Sequence, residues 1–212
     1  MPPRSPYSRR PPQERRRDNP AAQRIVTAAR AHFFAHGFRS VTMDDLAEEL
    51  GMSKKTLYAS FPSKAALLQA VLMDKFRNAE SDLDAIMAQR SDDTLTELQR
   101  FLACMQQHTE EIQPPFVRDI RREAPELFQV IEKRRREMIQ RYFGKIFAEG
   151  RMAGLVRKDI PVKLIIEILL GAVQAIMNPP KMDELGLDPK TGYSSIVSVI
   201  LDGVILKKSR TI

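Results

Sequence analysis

The chain has 212 residues, 43% of them hydrophobic and 29% charged, which is enough apolar material for a substantial core and argues against disorder throughout. A single cysteine, Cys104, excludes an intramolecular disulfide and with it the small secreted scaffolds. The formal net charge is +7, and it is unevenly placed: Arg4, Arg9, Arg10, Arg15, Arg16 and Arg17 stand against Glu14 alone in the first seventeen residues.

Residues 1–19 mix those arginines with Pro2, Pro3, Pro6, Pro11 and Pro12. Proline removes backbone donors and like charges repel, so this stretch is expected to be a disordered arm suited to a polyanion. No apolar run follows the arginines as a secretory signal would require. The most apolar segment, Leu164 to Met177, is broken by Glu167 and Gln174 and is shorter than the roughly 20 residues that span a bilayer. A cytoplasmic protein is expected.

From Pro20 the texture becomes helical. Ile25, Ala28, Ala29 and Phe33 recur on one helical face, and Gly37 ends the element. Thr42 is placed to cap a second helix, with Asp44 and Asp45 at the positive end of its dipole. Leu46, Ala47 and Leu50 are its expected buried stripe. Gly51 makes a turn, Met52 plugs the corner, and Ser53 caps a third helix that ends near Ser60. After Pro62, Ser63 caps a longer fourth helix from Lys64 towards Ala88.

Further helices are expected over residues 93–112, 116–122, 125–148, 161–177 and 193–207. Pro114, Pro115, Pro179, Pro180 and Pro189 mark the joins. The predicted fold class is all-α: a three-helix helix-turn-helix DNA-binding domain over residues 20–66, followed by a larger helical domain over residues 67–212. The segment from Thr42 to Ser60 has the layout of a helix-turn-helix, two short capped helices joined by a glycine turn. Its second helix is about 10 Å long at 1.5 Å per residue, a size that fits a major groove end-on.

These residues resemble the TetR family of transcription regulators. The resemblance runs from about Arg24 to Leu68 and rests on Ala28-Ala29, Phe33, Gly37-Phe38, Thr42, Leu46-Ala47, Gly51-Met52-Ser53, Thr56-Leu57-Tyr58, Phe61, Ser63-Lys64 and Leu67. Leu50, Lys55 and Ser60 depart from the family's usual alanine, glycine, and tyrosine or histidine. The resemblance implies that Thr42, Tyr58 and Lys64 touch the DNA backbone. Ser53, Lys54, Lys55 and Thr56 open the recognition helix, where side chains reach base edges or phosphates. It also implies a homodimer on a near-palindromic operator, a repressor that a small hydrophobic effector releases, and no enzyme activity.

For the dimer interface the apolar faces of the last two long helices are the candidates: Ile165, Ile168, Leu169, Ala172 and Ile176 on one, and Ile196, Val197, Ile200 and Val204 on the other. Gly171 and Ala172 would allow close approach. For an effector pocket the candidates are Phe101, Met105, Phe116, Ile120, Met138, Tyr142 and Phe143, each of which also fits ordinary core. The run from Lys133 to Arg136 reads as a solvated helix face, and Cys104 as a buried thiol. His32 and His36 stand four apart but lack a third ligand nearby, so neither a metal nor another cofactor is expected. No phosphate-binding glycine loop and no nucleophile–base pair is evident. A different reading keeps the same dimeric scaffold but makes it an effector-independent architectural or protein-interaction factor on DNA. A densely filled body would favour that reading, and an apolar cavity the regulator.

Overall fold

The computed structural model describes residues 19–89 and 94–205, and among these it contains ten helices. In chain order they are α1 (Pro20–His36), α2 (Met43–Glu49), α3 (Lys54–Ser60), α4 (Lys64–Ala88) and α5 (Thr94–Glu110). Then follow α6 (Pro114–Glu123), α7 (Pro125–Met152), α8 (Val162–Ile176), α9 (Pro179–Leu185) and α10 (Pro189–Val204). The proposed arm lies outside the described residues except for Asn19, which caps α1 by accepting a hydrogen bond from the Ala21 N–H at 3.0 Å. The only β feature among the described residues is an isolated antiparallel bridge between Val156 and Ile205, which pins the chain after α7 to the end of α10.

The local rules of helix starts account for the N-terminal elements. Thr42 and Asp45 form a reciprocal capping box on α2, the side chain of each accepting the other's backbone N–H, at 3.1 and 3.0 Å. Ser53 and Ser63 cap α3 and α4. α9 was not anticipated, because Pro179 and Pro180 read as breakers. They sit instead in its first turn, where the missing N–H would have had no helical partner, and Asn178 caps it. For the same reason α6 begins earlier than expected, at Pro114, and α10 begins at Pro189 rather than Tyr193. α7 runs one turn past Ala148, to Met152.

Two apolar clusters result, and α4 belongs to both. Leu67, Leu68, Val71 and Leu72 pack with α1, α2 and α3, while Phe76, Ala79 and Leu83 join the body. The division between reader and body therefore runs through the middle of α4, beyond residue 66. α6 also crosses it: Phe116 and Ile120 are part of the N-terminal cluster, and Phe116 meets Phe34 edge-on at 4.7 Å. Leu50, expected in the buried stripe of α2, is only partly buried, and Met43 takes a fully packed place instead.

Gly37 is required where α1 ends. Its φ of +91° with ψ of 160° lies in a region that side chains avoid, and a Cβ there would stand 2.5 Å from Asp119 Oδ2. That carboxylate accepts the Arg39 N–H at 2.8 Å, and the Gln113 N–H donates to the Phe34 carbonyl at 3.0 Å. The two bonds fasten α6 to the end of α1 and the loop that leads into α2.

Candidate functional site

The exposed edge of the N-terminal domain brings together the residues expected to meet DNA. Ser53, Lys54, Lys55, Thr56 and Tyr58 all lie on exposed positions of α3 or its cap, behind which Leu57 is fully buried. Tyr58 is 46% exposed, a large apolar ring kept at the surface. Two of the candidates have structural duties as well. Thr42 Oγ1 and Ser53 Oγ accept the N–H groups of Asp45 and Thr56, so their oxygens stabilise the reader while their outer faces remain open.

The lysines are held in different ways. Lys54 Nζ donates to Asp44 at 2.6 Å, which raises its affinity for the proton. Both groups are exposed, so the pair is weak and can yield to a phosphate. Lys64 lies back over the Phe38 ring, 4.5 Å from the centroid, and its ammonium reaches the Arg39 carbonyl at 3.4 Å. Partial burial lowers its pKa, and Asp119, Asp45 and Glu123 oppose that shift. On α1, His32 Nε2 pairs with Glu49 on α2, and its ring stacks at a tilt on His36, 5.8 Å away.

The second feature is an apolar cavity of about 200 Å³ in the body, bounded by α1, α4, α5, α6, α7, α8, α9 and the start of α10. A single water needs only about 10–15 Å³ of such space, so the cavity is of ligand size. Of the candidates for its wall, Met105, Phe116, Ile120 and Met138 line it. Phe101, Tyr142 and Phe143 do not. Their rings stack on one another behind it, with Phe101 edge-on to Phe143 at 4.5 Å, and the Tyr142 hydroxyl donates to Asp84 at 2.6 Å. These three aromatic side chains of α5 and α7 thus point into the packed core beside the space.

Charged residues reach this region in a way the sequence did not disclose. Lys75 is only 8% exposed and is held by Glu111 and by His108 Nδ1, 2.9 Å away. Burial pushes its pKa down to about 8, and the nearby Arg30 adds to that. Asp74 beside it is also buried. It accepts from Gln23 at 3.2 Å, Arg77 at 2.9 Å and Asn78 at 3.3 Å, tying α1 to α4. The run from Lys133 to Arg136 is not uniformly solvated: Arg135 turns inward to the cavity wall, donates to Glu132 at 2.6 Å, and keeps its Nε buried without a partner. A buried Asp-Lys pair between apolar helical positions was the available signal for α4. Arg135 had none.

The last two long helices present a different face from the one expected. Ile165, Leu169, Ile196, Val197 and Val204 are buried in the protomer's own core, where α8 and α10 pack together, and Leu169 borders the cavity. None of the five has surface to offer a partner. Ala172, Ile176 and Ile200 are half-buried, and Ile168 remains 51% exposed. With it on the open side are Leu164 at 49%, Gly171 and Ala175 on α8, and Val199 at 74% on α10. α8 is apolar nearly all round, so the periodicity did not choose between its two faces. Cys104 is buried, and burial raises its thiol pKa.

A capped helix-turn-helix on a larger all-helical body defines a class, the helical DNA-binding proteins. The family model described as bacterial regulatory proteins, tetR family, matches residues 25–71, and by this N-terminal domain the chain belongs to the TetR family. The HTH-type transcriptional regulator UidR of Escherichia coli K12 is 41% identical over 54 residues, which are 26% of this chain and 28% of UidR. Over the whole fold, the ketosteroid transcriptional regulator KstR2 of Mycobacterium tuberculosis is similar at a TM-score of 0.58 and 20% identity, covering 90% of this chain and 97% of its own. The fatty acid degradation regulator FadR of Bacillus halodurans gives 0.66 at 16% identity, covering 88% and 97%. A TetR-family regulator of Agrobacterium tumefaciens gives 0.67 at 16%, covering 92% and 100%. At these identities the structural likenesses establish the fold.

Proposed function

We propose that the chain is a cytoplasmic transcription repressor that binds a near-palindromic operator as a homodimer and is released when a small hydrophobic molecule fills the body cavity. The observation that carries this reading is the cavity itself, because it is closed on one side by the helix that also braces the reader. Phe116 and Ile120 of α6 line it and pack in the N-terminal cluster, and Asp119 between them holds the Arg39 N–H. A molecule that displaces α6 moves that anchor and so changes the setting of α2 and α3. An effector-independent architectural factor has no use for such a space, and its body would be filled.

One short recognition helix covers too little DNA for selectivity. Two copies are needed, with α3 of each in successive major grooves about 34–36 Å apart or a multiple of that. Leu164, Ile168, Gly171 and Ala175 with Val199 form the surface offered to the second copy, the small residues allowing close approach. Lys54, Lys55 and Lys64 with Thr42, Ser53, Thr56 and Tyr58 make the DNA contacts, and binding weakens steeply with salt as counterions are released. The basic arm adds phosphate contacts without defining the site.

Selection of bound sequences from random duplex DNA tests the reading, with molar mass measured by light scattering. A palindromic motif bound by a dimer is expected, with affinity that falls when apolar ligands are added. A protein that enriches no sequence over background overturns specific regulation. One that enriches a motif but is never released by a cavity ligand leaves the architectural reading in its place.

A further inference from the structure

We propose that the cavity selects an apolar monocarboxylate, its carbon skeleton among the methionines and aliphatic side chains and its carboxylate on the Arg135 guanidinium. This rests on the reading of the cavity as an effector site and adds the chemistry of the effector.

The volume sets the size. An apolar cavity of about 150 Å³ takes a benzene ring, so the space of about 200 Å³ here suits a single ring with a short substituent or a medium-length chain. The walls set the character of most of the molecule: Met105, Met138, Ile139, Leu169 and Val173 offer no hydrogen bonds, and the methionines adapt to shape.

Arg135 sets the head group. A guanidinium carries five N–H donors, and in this chain one amine is given to Glu132 while the buried Nε has no partner. An unmet buried donor is costly, and a neutral hydrocarbon in the cavity would leave it unmet. A carboxylate can take two guanidinium N–H groups at once. Tyr193, buried on the same wall, carries a phenol hydroxyl, a second donor type.

The neighbouring charges argue for one negative charge and against a cation. Lys75 is already met by Glu111 and His108, and Arg121 is exposed with its guanidinium over the Phe128 ring at 4.9 Å. Glu132 stands next to Arg135 and would repel a second negative charge. An ammonium would face Arg135 directly. The layout along α7 fits as well. Phe128, at the reader's end, and Arg135 are seven residues apart, about 10 Å along a helix. The anionic head is thus held at one end and the apolar tail pressed towards α6.

The test is calorimetric titration of the full-length protein with octanoate, 3-phenylpropionate, 1-octanol and octylamine. Either carboxylate should bind about ten-fold or more tighter than 1-octanol, in line with a charge-assisted hydrogen bond, and octylamine should not bind. Which carboxylate is preferred distinguishes a chain from a ring. Arg135→Gln should bring the carboxylate down to the level of the alcohol while leaving 1-octanol unchanged. Glu132→Gln, which removes the competing negative charge beside the guanidinium, should tighten the carboxylate several-fold, and it decides the matter if the Arg135 variant does not fold. Octanol binding as tightly as the carboxylates, or a Glu132→Gln variant without gain, overturns the monocarboxylate while the effector cavity stands. Binding of none of the four probes overturns the cavity reading together with it.

Discussion

The reader and the body are built from helices of the same kind but are finished differently inside. In the reader the core is closed: Ile25, Ala29, Phe33, Leu57, Leu67, Leu68 and Val71 are wholly buried against one another, and polar groups stay at caps and edges. The body holds an apolar space, a buried Lys75, and an Arg135 whose Nε has no partner. A closed core has one arrangement of lowest energy, which suits a surface that must match a rigid groove. A core with unfilled volume and methionine walls can be completed in more than one way, as the proposed response to an entering molecule requires.

The largest expected effect separates these two kinds of packing. Phe33→Ala removes a fully buried ring from a closed core and should cost about 3–5 kcal/mol. Met105→Ala, at the wall of an existing space, should stay near the low end of the Met→Ala range, about 2 kcal/mol, because the void is partly there already. Denaturant unfolding of the two variants measures both. Equal losses would mean that the cavity wall is as tightly packed as the reader and that the two cores do not differ in kind.

A smaller effect tests the joint between the regions. Gly37→Ala puts a Cβ into a backbone region reserved for glycine and against Asp119, and should destabilise by about 1–3 kcal/mol. Asp119→Ala should relieve the steric part but not the backbone part, so the double variant recovers only some of the loss. Operator affinity should follow the Asp119 change even where stability is restored, because Asp119 holds the loop that leads into α2.

Cap deletions come next. Ser53→Ala and Thr42→Ala should each cost about 1 kcal/mol by removing an acceptor from a helix start. Both should weaken operator binding by more than the loss of stability explains, if their outer faces also meet phosphates. Proteins whose affinity is unchanged at equal folded fraction would confine Thr42 and Ser53 to capping.

How much of this was legible in the sequence follows the same division. The stretch from Thr42 to Ser60 was readable because caps, a glycine turn and a short apolar stripe are local signals, and they pointed to the same two short helices that the structure contains. The body was readable as helices but not as surfaces. On α8 nearly every position is apolar, so only the packing of α10 against it decides that Ile165 and Leu169 face inward and Leu164 and Ile168 outward. Arg135 sits in a basic run that any local rule assigns to solvent, and it turns inward only because Glu132 and the cavity lie on that side. Prolines misled for a related reason. Pro179 and Pro180 stop a helix if it comes before them and start one if it comes after, and Asn178 had to be recognised as a cap to tell which.

The smallest expected effect concerns pH and the charged layer on the body's side of α4. His108 touches Lys75 through Nδ1 and Asp82 through Nε2, each at 2.9 Å. Burial lowers its pKa below the usual 6.5, with Lys75 adding to the shift and Asp82 opposing it. A histidine lowered in this way stays neutral in the folded protein at pH values where the unfolded chain has already taken up a proton. Its contribution to stability is therefore complete above about pH 6.5 and is lost as the pH falls through the folded value. Unfolding midpoints of the wild type should decline below that pH more steeply than those of His108→Gln, whose side chain keeps polar contacts but does not titrate. The reader's acidic cap, where Asp45 is lowered by its bonds to Thr42, responds only at much lower pH. Mild acid should thus loosen the body before it touches the helix-turn-helix. If operator-bound and free protein lost stability with identical pH profiles in both variants, the His108 layer would have no part in the difference between the two regions.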